Sequence, residues 1–180
     1  MEIKPLAPNF KQAKILWDEE VWPRFHEFGT LNEQEMTAVP ARGFGTLYIR
    51  SGHTRDAIDS IRGMGAQLAG VVVDEAADLD LEYALKQVVL PTLLDRAAWL
   101  VLSSTPRAGS YFNAVCKEAM AGLRADTWHS HKVPWDNPLL DPPAIEALVR
   151  EYAADSPDLR QQVYAELLEA GVGLAFKEFN

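Results

Sequence analysis

The sequence contains a single cysteine, Cys116, in 180 residues. An intramolecular disulfide is therefore excluded, as is a zinc centre built on cysteines, and a buried apolar thiol is the expected role. Positive charge is also scarce. Seventeen Lys and Arg against 26 Asp and Glu give a net charge of -9, which argues against an autonomous high-affinity nucleic-acid binder but leaves room for local basic patches. No apolar run is long enough to span a bilayer and no signal-peptide core is present, so a cytoplasmic location without membrane attachment is expected. Internal repeats and low-complexity segments are missing too. The chain that remains, 48% hydrophobic and 24% charged, suits one well-filled core with a small appendage.

The most informative stretch is Ala69 to Asp80, AGVVVDEAADLD. Three consecutive valines are poor helix formers and fit a strand buried on both faces, so the run predicts a central parallel strand. It stops at Asp74 and Glu75, which places two carboxylates at the end of the sheet where α/β proteins bind ligands. One acid there can hold Mg²⁺, directly or through water, while its neighbour orients a nucleophilic water; the alternative is an acidic helix start, where Asp and Glu complement the helix dipole.

A second apolar run, Ala97 to Ser104, ends in hydroxyl residues and is followed by Thr105 and Pro106. Between the two runs Leu81, Leu85, Val88 or Val89 and Leu93 keep a helical period, with Pro91 marking a bend or end. The interval fits one strand-helix-strand crossover with parallel strands. Ser103, Ser104 and Thr105 are then expected at the same sheet edge as Asp74 and Glu75, where a hydroxyl could sense a γ-phosphate or the attacking water. The other reading is a strand simply ending in a turn.

Elsewhere, Met1 to Leu6 is too short and mixed for a confident strand and reads as the end of one. Asn9 offers a helix N-cap with Gln12 three residues on, followed by an apolar stripe of Phe10, Ala13, Trp17, Val21, Phe25 and Phe28, with Pro23 expected to kink or end the helix near Trp22. Residues 29–45 read as a surface loop or hairpin, and Thr46 to Ser51 as a strand. Thr54 caps a short helix ending at Arg62 and Gly63. Gly63 and Gly65 would present Arg62 on a mobile loop, where it could reach a phosphate or form an ordinary surface salt bridge. In the last third, Thr127 to His131 predicts an edge strand with His129 and His131 on one face, both structural or solvent-exposed. WDNP at Trp135 to Pro138 is a turn. Helices begin at Asp141-Pro142, with Ile145, Leu148, Val149 and Tyr152 inward, and at Ser156-Pro157, with Leu159, Val163, Leu167 and Ala170 inward as far as Gly171.

The order APNFKQAKILW, a strand ending in Ser51, IRG, VVVDEA, SSTPRAGSYF and WDNPLL resembles the large subunit of bacteriophage terminases, the DNA-packaging motor ATPase, over nearly the whole chain. The resemblance implies an α/β fold: an ASCE-type P-loop NTPase core, a parallel sheet flanked by helices and incomplete at its N-terminus, followed by a small helical lid or linker. It implies that residues 1–125 are ATPase core and 126–180 lid or linker leading toward a nuclease domain. By the same resemblance Asp74 is the Walker B Mg²⁺ acid, Glu75 the catalytic glutamate, Ser103, Ser104, Thr105 and Pro106 the coupling motif, and Arg62 a trans-acting finger. ATP and Mg²⁺ are the implied cofactors. Double-stranded DNA, the small terminase subunit, the portal protein and other large-subunit protomers are the implied partners, at the procapsid portal vertex in the host cytoplasm.

The family's Walker A loop, a Gly-rich turn ending in Gly-Lys-Ser/Thr, has no match in residues 1–180: the Gly-x-Gly patterns at Gly43 and Gly45, Gly63 and Gly65, and Gly171 and Gly173 lack the Lys-Ser/Thr that should follow. The expectation is an internal piece of a terminase, prophage-like in origin, with neither Walker A nor nuclease and with weak ATP hydrolysis of its own. Exposed apolar sheet edges would then favour marginal stability or self-association. A non-catalytic prophage remnant or assembly partner, and a DExx helicase fragment, are the alternative readings.

Overall fold

The computed structural model describes residues 2–42, 45–62, 68–94 and 97–171, with side chains from Leu6 onward in the first strand. The chain divides into two compact units, Met1–Ser104 and Thr105–Asn180.

The first unit is built on a twisted sheet of β1 (Glu2–Ala7), β2 (Gly29–Asn32), β3 (Thr37–Pro40), β4 (Leu47–Tyr48), β5 (Arg50–Ser51), β6 (Leu68–Val73) and β7 (Trp99–Leu102). Its order is β2-β3-β4-β1-β6-β7, with β5 continuing β4's side of β1. β1, β4, β5, β6 and β7 run parallel, and the β2-β3 hairpin adds antiparallel strands at one end. This is the α/β architecture that the residues imply. The segment read as the end of a strand is a full central strand, Glu2–Ala7, in register with β6 from Ile3↔Gly70 to Leu6↔Val73. Its mixed composition hid this: Lys4 and Pro5 break the apolar run, and strand character comes from neighbours on both sides rather than from local propensity.

β1 leads into α1 (Phe10–Leu16), a π-helical turn (Trp17–Val21) and α2 (Trp22–Phe25). Asn9 caps α1 through its Oδ1, which accepts from the Gln12 N–H at 3.0 Å. Pro23 does not end the helix; it sits in the first turn of α2, where a missing N–H costs least, and the widened π turn just before it absorbs the change of register. Ala13, Trp17 and Val21 are buried with Ala7, Met36, Ala38 and Ile49, and Phe25 packs against this cluster. Phe10 and Phe28, at the two ends of the predicted stripe, are instead 64% and 60% exposed, because each lies beyond the part of the helix that the sheet covers. The strand predicted over Thr46 to Ser51 is split into β4 and β5 at Ile49, whose N–H donates to the Met36 carbonyl and whose side chain is fully buried.

α3 (Arg55–Asp59) is capped by Thr54, whose hydroxyl accepts from Ala57 N–H. The predicted crossover from β6 to β7 is formed by a 3₁₀ turn (Ala76–Asp78), α4 (Leu81–Tyr83), a π-helical stretch (Ala84–Val89) and α5 (Leu90–Leu94). Leu81, Leu85, Val88, Val89 and Leu93 are buried, as the helical period requires. Residues 63–67, which include the glycines expected to loosen the approach to β6, lie outside the described residues.

The second unit contains α6 (Tyr111–Met120), α7 (Pro142–Arg150) and α8 (Pro157–Gln162), with a 3₁₀ turn at Pro134–Asp136. Ser110 caps α6 and Ser156 caps α8. Two expectations fail here. Residues 127–131 are irregular rather than an edge strand, since the described strands of the sheet all belong to the first unit. His131 has Nε2 3.0 Å from the Tyr164 carbonyl and 3.2 Å from that of Ala165, a structural contact. α8 also stops well before Gly171. Ala165 takes a left-handed φ of 51°, Glu166 N–H turns back to the Arg160 carbonyl, and an Arg160–Glu166 ion pair closes the turn, so that Leu168 is buried in place of Leu167 and Ala170. Cys116 is half-buried, and burial raises its thiol pKa. Among the described residues, no helix is long and apolar enough to cross a membrane.

Candidate active site

The chain leaves β1 toward β4 and β5, and leaves β6 toward β7. These opposite departures make the carboxyl ends of β1 and β6 a topological switch point, the position where open α/β sheets form a ligand crevice. A cavity of about 190 Å³ lies there, lined by Pro8, Gln12, Ile15, Leu16, Glu19, Glu20, Asp74 and Glu75. The valines of β6 end at this rim because Asp74 N–H still donates to the Leu6 carbonyl, at 3.0 Å, while the next residue turns away.

That turn is sharp. Glu75 adopts a left-handed conformation, φ 48° and ψ 46°, uncommon for a residue with a side chain and typical of positions that the surroundings over-determine. Those surroundings are the end of β7. Ser103 N–H donates to the Val73 carbonyl at 2.9 Å, and the Ser103 carbonyl accepts from Ala76 N–H at 2.9 Å. The side chains repeat the link: Ser103 Oγ donates to Asp74 Oδ1 at 2.6 Å, and Ser104 Oγ lies 3.4 Å from Glu75 Oε2 while accepting from Ala77 N–H at 3.1 Å. Two neighbouring strand ends thus carry two acids and two hydroxyls, joined pair by pair.

Asp74, Glu75, Ser103 and Ser104 are accordingly brought together, as the spacing of the two apolar runs implies. Thr105 and Pro106 open the second unit, and Pro106 is buried. Arg62 follows α3 and is held by Asp59, 3.1 Å away, with the Tyr83 hydroxyl at 3.4 Å. Its partners belong to a surface network in which Tyr83 OH donates to Asp59 at 2.8 Å, and Arg55 lies over the Tyr83 ring while pairing with Asp80 at 2.9 Å. Sequence reading missed this network and the contributions of Gln12, Glu19 and Glu20 to the cavity. The i, i+3 spacing of Asp59 and Arg62 on a helix end was the available signal for the ion pair.

No group of three or more His, Cys, Asp or Glu among the described residues is arranged to enclose a metal ion. A hard cation that keeps most of its waters and takes one or two protein oxygens, as Mg²⁺ does, fits Asp74 and Ser103, which together present a carboxylate and a hydroxyl at the rim.

No protein-family model matches the chain, and neither does any curated protein. Solved structures do match. The fold is that of large-terminase ATPase domains. The chain is similar to the large terminase ATPase domain of Thermus phage P74-26 (TM-score 0.61, 20% identity), covering 93% of this chain and 76% of that one. An arginine-to-alanine mutant of the same domain gives a TM-score of 0.60 at 21% identity, covering 92% of this chain and 76% of the mutant's. The large terminase of a thermophilic bacteriophage gives a TM-score of 0.72 at 16% identity, with 93% of this chain and 41% of that one covered.

Proposed function

We propose that this chain is part of a terminase large subunit and supplies the hydrolytic half of an ATP-driven motor that packages double-stranded DNA into procapsids. The observation that carries the reading is the joined pair of strand ends, Asp74 on Ser103 and Glu75 beside Ser104, in a chain whose fold is similar to that of terminase ATPase domains. In this role Glu75, fixed in its left-handed turn, accepts a proton from the attacking water. Asp74 would hold Mg²⁺ through its free carboxylate oxygen and water, and the ion neutralises developing phosphate charge when bound. Ser103 and Ser104 tie the acids to the strand that leads to Thr105 and Pro106, so a change at the phosphate end is felt by the segment that leaves the sheet. Arg62, exposed and paired with Asp59 of its own surface, would have to leave that pair to act on a neighbouring protomer's nucleotide. DNA, the small subunit and the portal protein are the partners of this reading.

Residues 1–180 carry no Gly-Lys-Ser/Thr loop, so this stretch alone should bind Mg²⁺-ATP weakly and turn it over slowly. The test is hydrolysis by the chain joined to a strand and loop bearing that motif, with and without Glu75→Gln. The substitution should abolish turnover without changing the fold. Turnover that survives Glu75→Gln overturns the assignment.

A further inference from the structure

The cavity at the ends of β1 and β6 is one-sided in its chemistry. Among its described lining residues, three apolar side chains offer no hydrogen bond and four carboxylates, when ionised, only accept one. Gln12 is the remaining side chain and the one that can donate. Its orientation follows from the helix cap. The Gln12 main-chain N–H is a donor, so the Asn9 atom 3.0 Å from it is Oδ1. The other end of the Asn9 amide, Nδ2, therefore faces the Gln12 side chain and donates to Oε1. With its oxygen occupied, Gln12 keeps an Nε2 whose N–H groups have no partner among the described residues, in a half-buried side chain that lines the cavity. Of the two acids at the end of β6, Glu75 is the more loosely held. Asp74 accepts from Ser103 at 2.6 Å, but Glu75 Oε2 lies 3.4 Å from the Ser104 hydroxyl, well beyond the ~2.7–2.8 Å of a good O–H···O bond. An unused donor and a lightly engaged acceptor thus border one space of about 190 Å³, roomy enough for several waters.

We infer that Gln12 positions the water that Glu75 activates. Nε2 donates an N–H into one lone pair of the water while the Glu75 carboxylate accepts a water proton, which leaves the second lone pair free to attack phosphorus. In hydrolysis the water oxygen forms its bond to the terminal phosphorus as the bond to the bridging oxygen breaks, the water proton passes to Glu75, and Gln12 keeps both of its own. A neutral donor suits this place. A lysine or arginine would be drawn onto the carboxylates, whereas an amide holds the water without forming an ion pair with the base. The inference rests on the hydrolytic role of Glu75.

Two substitutions test it. Gln12→Glu keeps the oxygen to which Asn9 donates and suits the first turn of a helix, and Gln12→Met keeps the side chain neutral and of similar length; what both remove is the N–H donor. In the chain joined to a Gly-Lys-Ser/Thr loop, both should lower kcat about a hundredfold with KM unchanged, while Gln12→Glu leaves the urea midpoint where it was. A crystal structure of the intact chain should show an ordered water within about 3.2 Å of both Gln12 Nε2 and the Glu75 carboxylate, and the Gln12→Met structure should lack it. Wild-type kcat in either variant, or a cavity with no water between the two side chains, overturns the inference. Turnover abolished by Glu75→Gln but unchanged in both Gln12 variants strikes the inference and leaves the role of Glu75 standing; turnover that survives Glu75→Gln strikes that role first, and the inference with it.

Discussion

Ser103 Oγ and Asp74 Oδ1 lie 2.6 Å apart at the ends of neighbouring parallel strands, although 29 residues separate them in sequence. The contact joins an acid that ends one buried run to a hydroxyl that ends the next, and the turn at Glu75 is closed by main-chain bonds to the same serine.

Glu75 occupies a backbone conformation that costs a residue with a side chain about 1 kcal/mol or more. Glu75→Gly should therefore stabilise the fold by about 1 kcal/mol in urea titration, while abolishing hydrolysis by the loop-bearing form of the chain. Opposite effects on stability and activity would mark the position as one where strain serves the site. A destabilised Glu75→Gly protein would contradict this account.

Gly70 lies beneath Trp99, and a Cβ at Gly70 would come within 2.2 Å of the indole. Gly70→Ala should cost about 1–3 kcal/mol, the usual penalty for overpacking. In the Trp99→Ala background the same substitution should cost much less, so the double-mutant cycle yields a coupling energy of about 1 kcal/mol or more. Additive effects would mean that the ring moves aside freely.

Tyr83 donates its hydroxyl to Asp59, and this bond, with partial desolvation second, raises the phenol pKa above its ordinary value of 10.0. The unfolded chain ionises first as pH rises, so the stability contributed by the shift is complete below about pH 10 and is lost as pH climbs through the folded-state value. Wild-type protein should consequently lose stability above about pH 10 more steeply than Tyr83→Phe, and absorbance at tyrosinate wavelengths should show the slowest-titrating tyrosine disappear in the variant. Superimposable pH profiles would remove the bond from the account.

Ser110 accepts from Asn113 N–H at the start of α6. Ser110→Ala should cost the chain about 1 kcal/mol, the value of a helix N-cap, and Ser110→Asp should recover most of it. A null effect on chemical denaturation would show that α6 is held by packing alone.

Where one physical cause dominated, the fold was plain in the sequence. The valine run ending in Asp74 and Glu75, the leucine and valine period from Leu81 to Leu93, and the apolar run ending in Ser103 and Ser104 predict parallel strands with a shared polar edge, and the structure makes those strands direct neighbours. Legibility fell where neighbours decide. β1 earns strand status from partners on both sides and not from Lys4 and Pro5. Pro23 marks a helix break only until a π turn absorbs it. His129 and His131 alternate as in a strand, yet the described strands they would need as partners belong to the other unit. The cavity's far wall, Gln12, Glu19 and Glu20, looked like the polar side of an amphipathic helix. Only the path of β1 turns that side toward Asp74.

The position of β1 also bears on synthesis. It is translated before β6, yet its longest ladder is with Leu68–Val73. At elongation speeds of about 5–20 residues per second, the ribosome needs roughly 3–13 s to progress from Ala7 to Val73, and longer to clear the exit tunnel. Throughout that interval one of the sheet's central strands has no partner on that side. The nascent chain is therefore a natural client for ribosome-associated chaperones, and synonymous codons that slow translation between the two strands should lower soluble yield without changing a single side chain.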